Sequence, residues 1–189
     1  MPYEVKRYQR DPKTLLAPAE LRHVHPLGKS PVIEDQVGDA SEVVAETGAI
    51  VEYLVRRAGG AFGEPEMTGD ALLYRHFLHY AEGSLMPVLF TRLVLRRVPL
   101  LGRLAARKFQ TMIDVHVDYV ETQLSRRAWF AGAKFTAADV MMSYPLEVAR
   151  RRAGISSSSH PQIFDWLERI HARPAFAAAL KRGGAYTVI

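Results

Sequence analysis

A chain of 189 residues, 48 % hydrophobic and 24 % charged, carries enough apolar mass for a sizeable core in one domain or two small ones. It contains no cysteine, which excludes a disulfide framework and a thiol nucleophile supplied by the protein, and its net charge of +5 suits an anionic small molecule without indicating nucleic acid. Met1-Pro2-Tyr3-Glu4 lacks the apolar stretch of a signal peptide, and apolar runs such as residues 85–90 are too short to span a bilayer, so a cytoplasmic protein with no membrane partner is expected.

Tyr3-Glu4-Val5-Lys6-Arg7-Tyr8 alternates apolar and charged side chains, the pattern of a half-buried strand. Asp11-Pro12-Lys13 marks a turn, and Pro18-Ala19-Glu20-Leu21 a short helix with proline in its first turn. His25-Pro26-Leu27-Gly28-Lys29-Ser30-Pro31 is a turn leading into a strand. Pro31 has no N–H for a ladder, so it belongs at the strand's start, before the β-branched pair Val32-Ile33. The Ser30–Pro31 bond is open to the cis form, because trans is preferred by only ~0.5–1 kcal/mol at X-Pro. A glycine-containing turn at 35–39 leads to a partner strand at 42–45, making a hairpin. Thr47 is then expected to cap a helix that buries Ile50, Val51, Leu54 and Val55 at helical spacing. The free N–H groups of that helix start and the Lys29 ammonium are each suited to one carboxylate of an extended small molecule. The same residues also make an ordinary turn, strand and capped helix.

Gly59-Gly60-Ala61-Phe62-Gly63-Glu64-Pro65 is the clearest linker, and residues 61–68 are taken to separate a first domain, 1–60, from an all-helical one, 69–189. Residues 69–98 read as a long helix kinked or broken by Pro87. A second helix from Pro99 carries Leu104, Phe109, Ile113, Val117, Val120 and Leu124 on one stripe. Thr136 and Asp139 have the spacing of a capping box, with Phe135 and Val140 as its hydrophobic staple. Pro161 and Pro174 open two further helices, and Gly183-Gly184 ends the last, leaving a tail. His76 and His79 stand one helical turn apart, with Tyr80 and Glu82 as the only nearby additions, and read as a hydrogen-bonded or solvated pair; no metal is expected. Arg92, Arg96, Arg97, Arg103, Arg107 and Lys108, and Arg150-Arg151-Arg152, interleave with apolar residues and read as solvated helix faces, with no nucleic-acid reading motif.

The run His25-Pro-Leu-Gly-Lys-Ser-Pro31, followed by Glu46-Thr-Gly-Ala-Ile50 and the distant Thr136–Asp139 box, resembles the glutathione S-transferase family. The resemblance implies an α/β, thioredoxin-like N-terminal domain, here incomplete, followed by an all-α helical-bundle domain. It implies Pro31 as a cis-proline, with the Ser30 backbone holding the cysteinyl part of glutathione, Glu46 and Thr47 the γ-glutamyl part, and Lys29 near the glycyl carboxylate. The helix around Glu82, Ser84, Met86 and Phe90 is similar to the one lining the family's pocket for the electrophilic co-substrate, although Met86 and Phe90 also suit a core. Glutathione is then a co-substrate whose thiolate attacks a small electrophile, in a detoxifying enzyme that is usually a homodimer. The family's first strand and helix, which carry its catalytic Tyr, Ser or Cys, have no match here, and Tyr3 and Tyr8 fall in the second strand of the family order. The catalytic donor is therefore unassigned, and residues 3–8 are expected to detach, re-pair or dock elsewhere. A non-catalytic glutathione-binding or interaction protein is the alternative, and a misplaced start codon a third explanation.

Overall fold

A computed structural model of the chain describes residues 1–14 and 16–183. The tail expected after Gly183-Gly184 lies outside them. The chain divides into two compact units, Met1–Gly63 and Glu64–Ile189.

The first unit contains α1 (Leu21–Val24), β1 (Val32–Val37), β2 (Ala40–Ala45) and α2 (Thr47–Arg57). The two strands form an antiparallel hairpin in register from Val32 opposite Ala45 to Val37 opposite Ala40. Ile50 is buried on the inner face of α2, whereas Leu54, expected beside it, is 39 % exposed. Tyr53 and Arg57, one turn apart on α2, both reach Asp35 of β1 at 2.7 Å and so tie the helix to the hairpin. The alternating pattern of residues 3–8 does not become a strand: the segment has no regular secondary structure and lies outside the two-stranded sheet, and Tyr3 and Val5 stay 59 % and 54 % exposed. Alternation specifies a strand only where a neighbour supplies ladder partners and a face to cover, and β1 takes its partner from β2. α1 is a single turn starting at Leu21, three residues beyond Pro18, whose carbonyl accepts the Leu21 N–H.

The second unit is all helical among the described residues: α3 (Thr68–Tyr80), a π-turn (Ala81–Leu85), α4 (Met86–Arg97), α5 (Gly102–Arg126), α6 (Ala137–Arg152), α7 (Pro161–His171) and α8 (Pro174–Gly183). α4 lies along α5, and α6 packs on both α3 and α7. Their shared core includes Phe77, Ile113, Val117, Val120, Phe130, Met142, Leu146 and Trp166, all fully or almost fully buried. Pro87 marks the interruption of the long helix expected over residues 69–98, which becomes two α-helical stretches joined by a π-turn. The proline sits in the first turn of α4, and the wider π-turn just before it takes up the clash a proline ring makes with the carbonyl four residues back. α5 starts at Gly102 rather than Pro99, because Leu100 has φ 62°, outside helical geometry, and Leu104 is 56 % exposed instead of lying on the buried stripe.

The capping box at α6 is present, with the Asp139 carboxylate accepting from the Thr136 N–H at 2.8 Å. The same carboxylate, fully buried, also accepts from the Thr136 hydroxyl (3.1 Å), the Phe130 N–H (3.0 Å) and the Trp166 indole (3.3 Å), joining the α5–α6 loop, α6 and α7. Burial pushes this carboxyl above its usual range against the pull of those donors. The staple differs from expectation: Val140 is 44 % exposed, and Phe135 packs edge-on against Trp129. A second buried carboxylate, Glu147, is held by His171 and by Arg150 at 3.0 Å.

Candidate functional site

The site is built by the hairpin register. Val32 faces Ala45 at its open end, so Pro31 and Glu46 are the next residues along the two neighbouring backbones. Opposed Cα atoms in such a ladder lie about 4.5–5.5 Å apart, which brings the Ser30-Pro31 and Glu46-Thr47 pairs to one end of the hairpin. The Ser30–Pro31 peptide bond is cis. The turn before it is closed by the Gly28 N–H donating to the His25 carbonyl at 2.8 Å. Gly28 has φ 56°, and a Cβ there would meet the Arg22 side chain at 2.7 Å, so this position needs glycine twice over.

Glu46, not Thr47, occupies the cap position of α2, a correction to the sequence-based expectation. Its backbone is at φ 73° and ψ 125°, rare for a residue with a Cβ and worth about 1–3 kcal/mol of strain. Thr47 already has helical geometry, so it is the first helical residue and its hydroxyl makes no cap. The first intrahelical bond runs from the Ile50 N–H to the Glu46 carbonyl at 2.9 Å. The N–H groups of Thr47, Gly48 and Ala49 precede it, and no side chain caps them. These donors, at the positive end of an 11-residue helix, suit a carboxylate. Lys29, Ser30, Pro31 and Glu46 are exposed and Thr47 is half-buried, so the backbone edge is open to a ligand.

Sequence reasoning missed the Asp35–Tyr53–Arg57 cluster that ties α2 to β1. The Tyr53 hydroxyl, and then Arg57, hold the Asp35 carboxyl below its usual range, and the same hydrogen bond raises Tyr53. The available signal was the four-residue spacing of Tyr53 and Arg57 on a helix that follows an acidic strand residue.

In the second unit Glu82, Met86 and Phe90 fall at intervals of four from the π-turn into α4. Glu82 is exposed, Met86 half-buried and Phe90 53 % exposed, so this face is not core. His76 Nε2 meets the Tyr119 hydroxyl at 3.0 Å, and Tyr80, next to exposed His79, meets His116 Nδ1 at 2.5 Å. Burial lowers both His76 and His116 and raises Tyr80. Arg150 and Arg92 have structural partners, Glu147 and the carbonyl of Arg152 at the end of α6.

Residues 1–56 match the model of the glutathione S-transferase N-terminal domain, and residues 104–174 that of the C-terminal domain. The chain is 30 % identical over 203 aligned residues to Glutathione S-transferase 1 of Saccharomyces cerevisiae, covering 97 % of this chain and 86 % of that protein. A crystal structure of a glutathione S-transferase from Actinobacillus pleuropneumoniae superposes with a TM-score of 0.80 at 30 % identity, over 96 % of this chain and 81 % of that one. A sphingomonad glutathione S-transferase solved with glutathione has the same fold, with a TM-score of 0.70 at 23 % identity over 94 % of this chain and 87 % of its own. With both domain models matched and relatives aligned along nearly the whole chain, the protein belongs to the glutathione S-transferase family.

Proposed function

We propose that this protein binds glutathione at the open end of the β1–β2 hairpin and conjugates its thiolate to a small electrophile. Lys29 pairs with the glycyl carboxylate, the Ser30 backbone pairs with the cysteinyl unit, and Glu46 with the start of α2 takes the γ-glutamyl end. The observation that carries the reading is the strained Glu46 backbone immediately before an uncapped helix start, at the end of the hairpin where residues 30 and 31 also lie. The glutathione bound to the sphingomonad relative supports the ligand. In the reaction a hydrogen-bond donor stabilises the thiolate, the sulfur attacks carbon, and the electrophile's leaving group departs with the electron pair of the broken bond. By resemblance to the family, Glu82, Met86 and Phe90 are the candidate contacts for the electrophile. The reading carries a detoxifying homodimer in the cytoplasm, the family's usual form.

One observation favours binding without conjugation: Tyr3 and Tyr8 lie on a segment with no regular secondary structure, outside the two-stranded sheet. Calorimetry with glutathione and turnover of an activated aryl halide separate the two readings. Binding with conjugation supports the enzyme, and binding with background turnover supports the binding protein. Lys29→Ala should weaken glutathione roughly two- to tenfold, the range for an exposed ion pair with a charge-assisted hydrogen bond. Unchanged affinity in both Lys29→Ala and Thr47→Ala would reject the site.

A further inference from the structure

The turn joining α4 to α5 combines two features that a solvated loop does not need. Residues 98–101 form it, and Leu100 is 98 % exposed, Leu101 73 %, Val98 47 % and, just inside α5, Leu104 56 %. Leu100 also has φ 62°, a conformation that costs an L-residue with a bulky side chain and that glycine or asparagine would adopt more cheaply. The backbone thus bears strain while presenting a leucine wholly to solvent. The turn is held firmly: a Cβ at buried Gly102 would strike the Leu95 carbonyl, so the start of α5 is pinned against the last turn of α4.

Along the chain, the charge flanking this turn has one sign. From residue 83 to residue 113 there are six cations and no carboxylate. Arg92 is taken up by the Arg152 carbonyl. Arg96 and Arg97 end α4, and Arg103 and Arg107 lie within about 8 Å of the start of α5 along its axis. These four and Lys108 are exposed, and none is in an ion pair among the described residues. Exposed cations flanking an exposed apolar turn complement a surface with anionic phosphates outside and hydrocarbon beneath.

We propose that the α4–α5 tip docks the protein on an anionic lipid surface, with Leu100 and Leu101 entering the headgroup–acyl boundary and Arg96, Arg97, Arg103 and Arg107 meeting lipid phosphates. This is a surface contact and not a span, since no helix among the described residues is long and apolar enough to cross a membrane. The proposal departs from the sequence-based expectation of no membrane partner.

The test is sedimentation of the full chain with vesicles of phosphatidylcholine alone and of an equal mixture with phosphatidylglycerol. Wild type should bind the mixed vesicles at least tenfold better, since each cation near such a surface raises partitioning about fivefold. Raised salt should weaken the binding. Leu100→Ser with Leu101→Ser should lower the partition coefficient about tenfold or more. Arg103→Glu with Arg107→Glu should abolish the preference for the anionic mixture. If the leucine pair shifts the melting midpoint, the arginine pair alone decides. No binding by wild type, or equal binding by the decisive variant, overturns the proposal. So does a change in light-scattering mass in the leucine variant, which would mean that a second copy covers the tip.

Discussion

Replacing Asp139 with alanine should cost the fold about 3–4 kcal/mol. The carboxylate is fully buried and accepts four hydrogen bonds, from the Phe130 and Thr136 N–H groups, the Thr136 hydroxyl and the Trp166 indole. Phe130 and Trp166 are themselves at 0 % exposure, so their donors find no water once the acceptor is gone. A buried donor left unsatisfied costs ~1–3 kcal/mol, and loss of the cap at Thr136 adds about 1 kcal/mol. These terms share one group and do not simply add. The variant also escapes the desolvation that burial imposes on the ionised carboxyl, which brings the net to the lower part of the summed range. For a chain of this size each kcal/mol shifts the melting midpoint by ~2–4 °C, so the expected fall is about 6–16 °C in calorimetry or circular dichroism. Asp139→Asn keeps one carbonyl acceptor and should fall between the variant and wild type. A midpoint within about 2 °C of wild type in Asp139→Ala would refute the idea that this carboxylate joins α6, α7 and the loop before them.

Acid should weaken the fold through His76 and His116. Burial holds both below the ordinary value of 6.5, so the unfolded chain binds protons that the folded one refuses, and stability falls as pH drops through 6.5 toward the folded values. Melts from pH 8 to pH 5 should show this, and His116→Phe should flatten the slope. Gly132→Ala should destabilise by about 2 kcal/mol or more in urea unfolding, because Gly132 has φ +109° and a Cβ would strike the Asp70 carboxylate. An unchanged urea midpoint would show that this loop adapts freely. Thr136→Ala should lower the melting midpoint by a smaller step than Asp139→Ala and leave glutathione affinity unchanged, since the cap lies in the other unit from the proposed ligand site.

The sequence by itself determined the elements whose signals are local. A proline that cannot donate starts β1, glycine permits the turn before it, and the spacing of Thr136 and Asp139 defines the cap of α6. The helical stripe from Ile113 to Leu124 was legible because its period is set by helix geometry alone. The family resemblance was carried by these same short motifs. Only the tertiary structure decided the rest. The alternation of residues 3–8 is a strand pattern with no ladder, because pairing depends on which neighbour the fold supplies. Thr47 loses the cap to Glu46 because the backbone turns through positive φ one residue earlier, a geometry no side chain advertises. The interruption expected at Pro87 takes the form of a π-turn, which the proline alone does not specify. Asp35 gains Tyr53 and Arg57, and Asp139 gains Trp166, across chain separations that no period reports. The exposure of Leu100 follows the same rule: apolar residues read as core in a sequence, and only packing determines which of them the core has no room to cover.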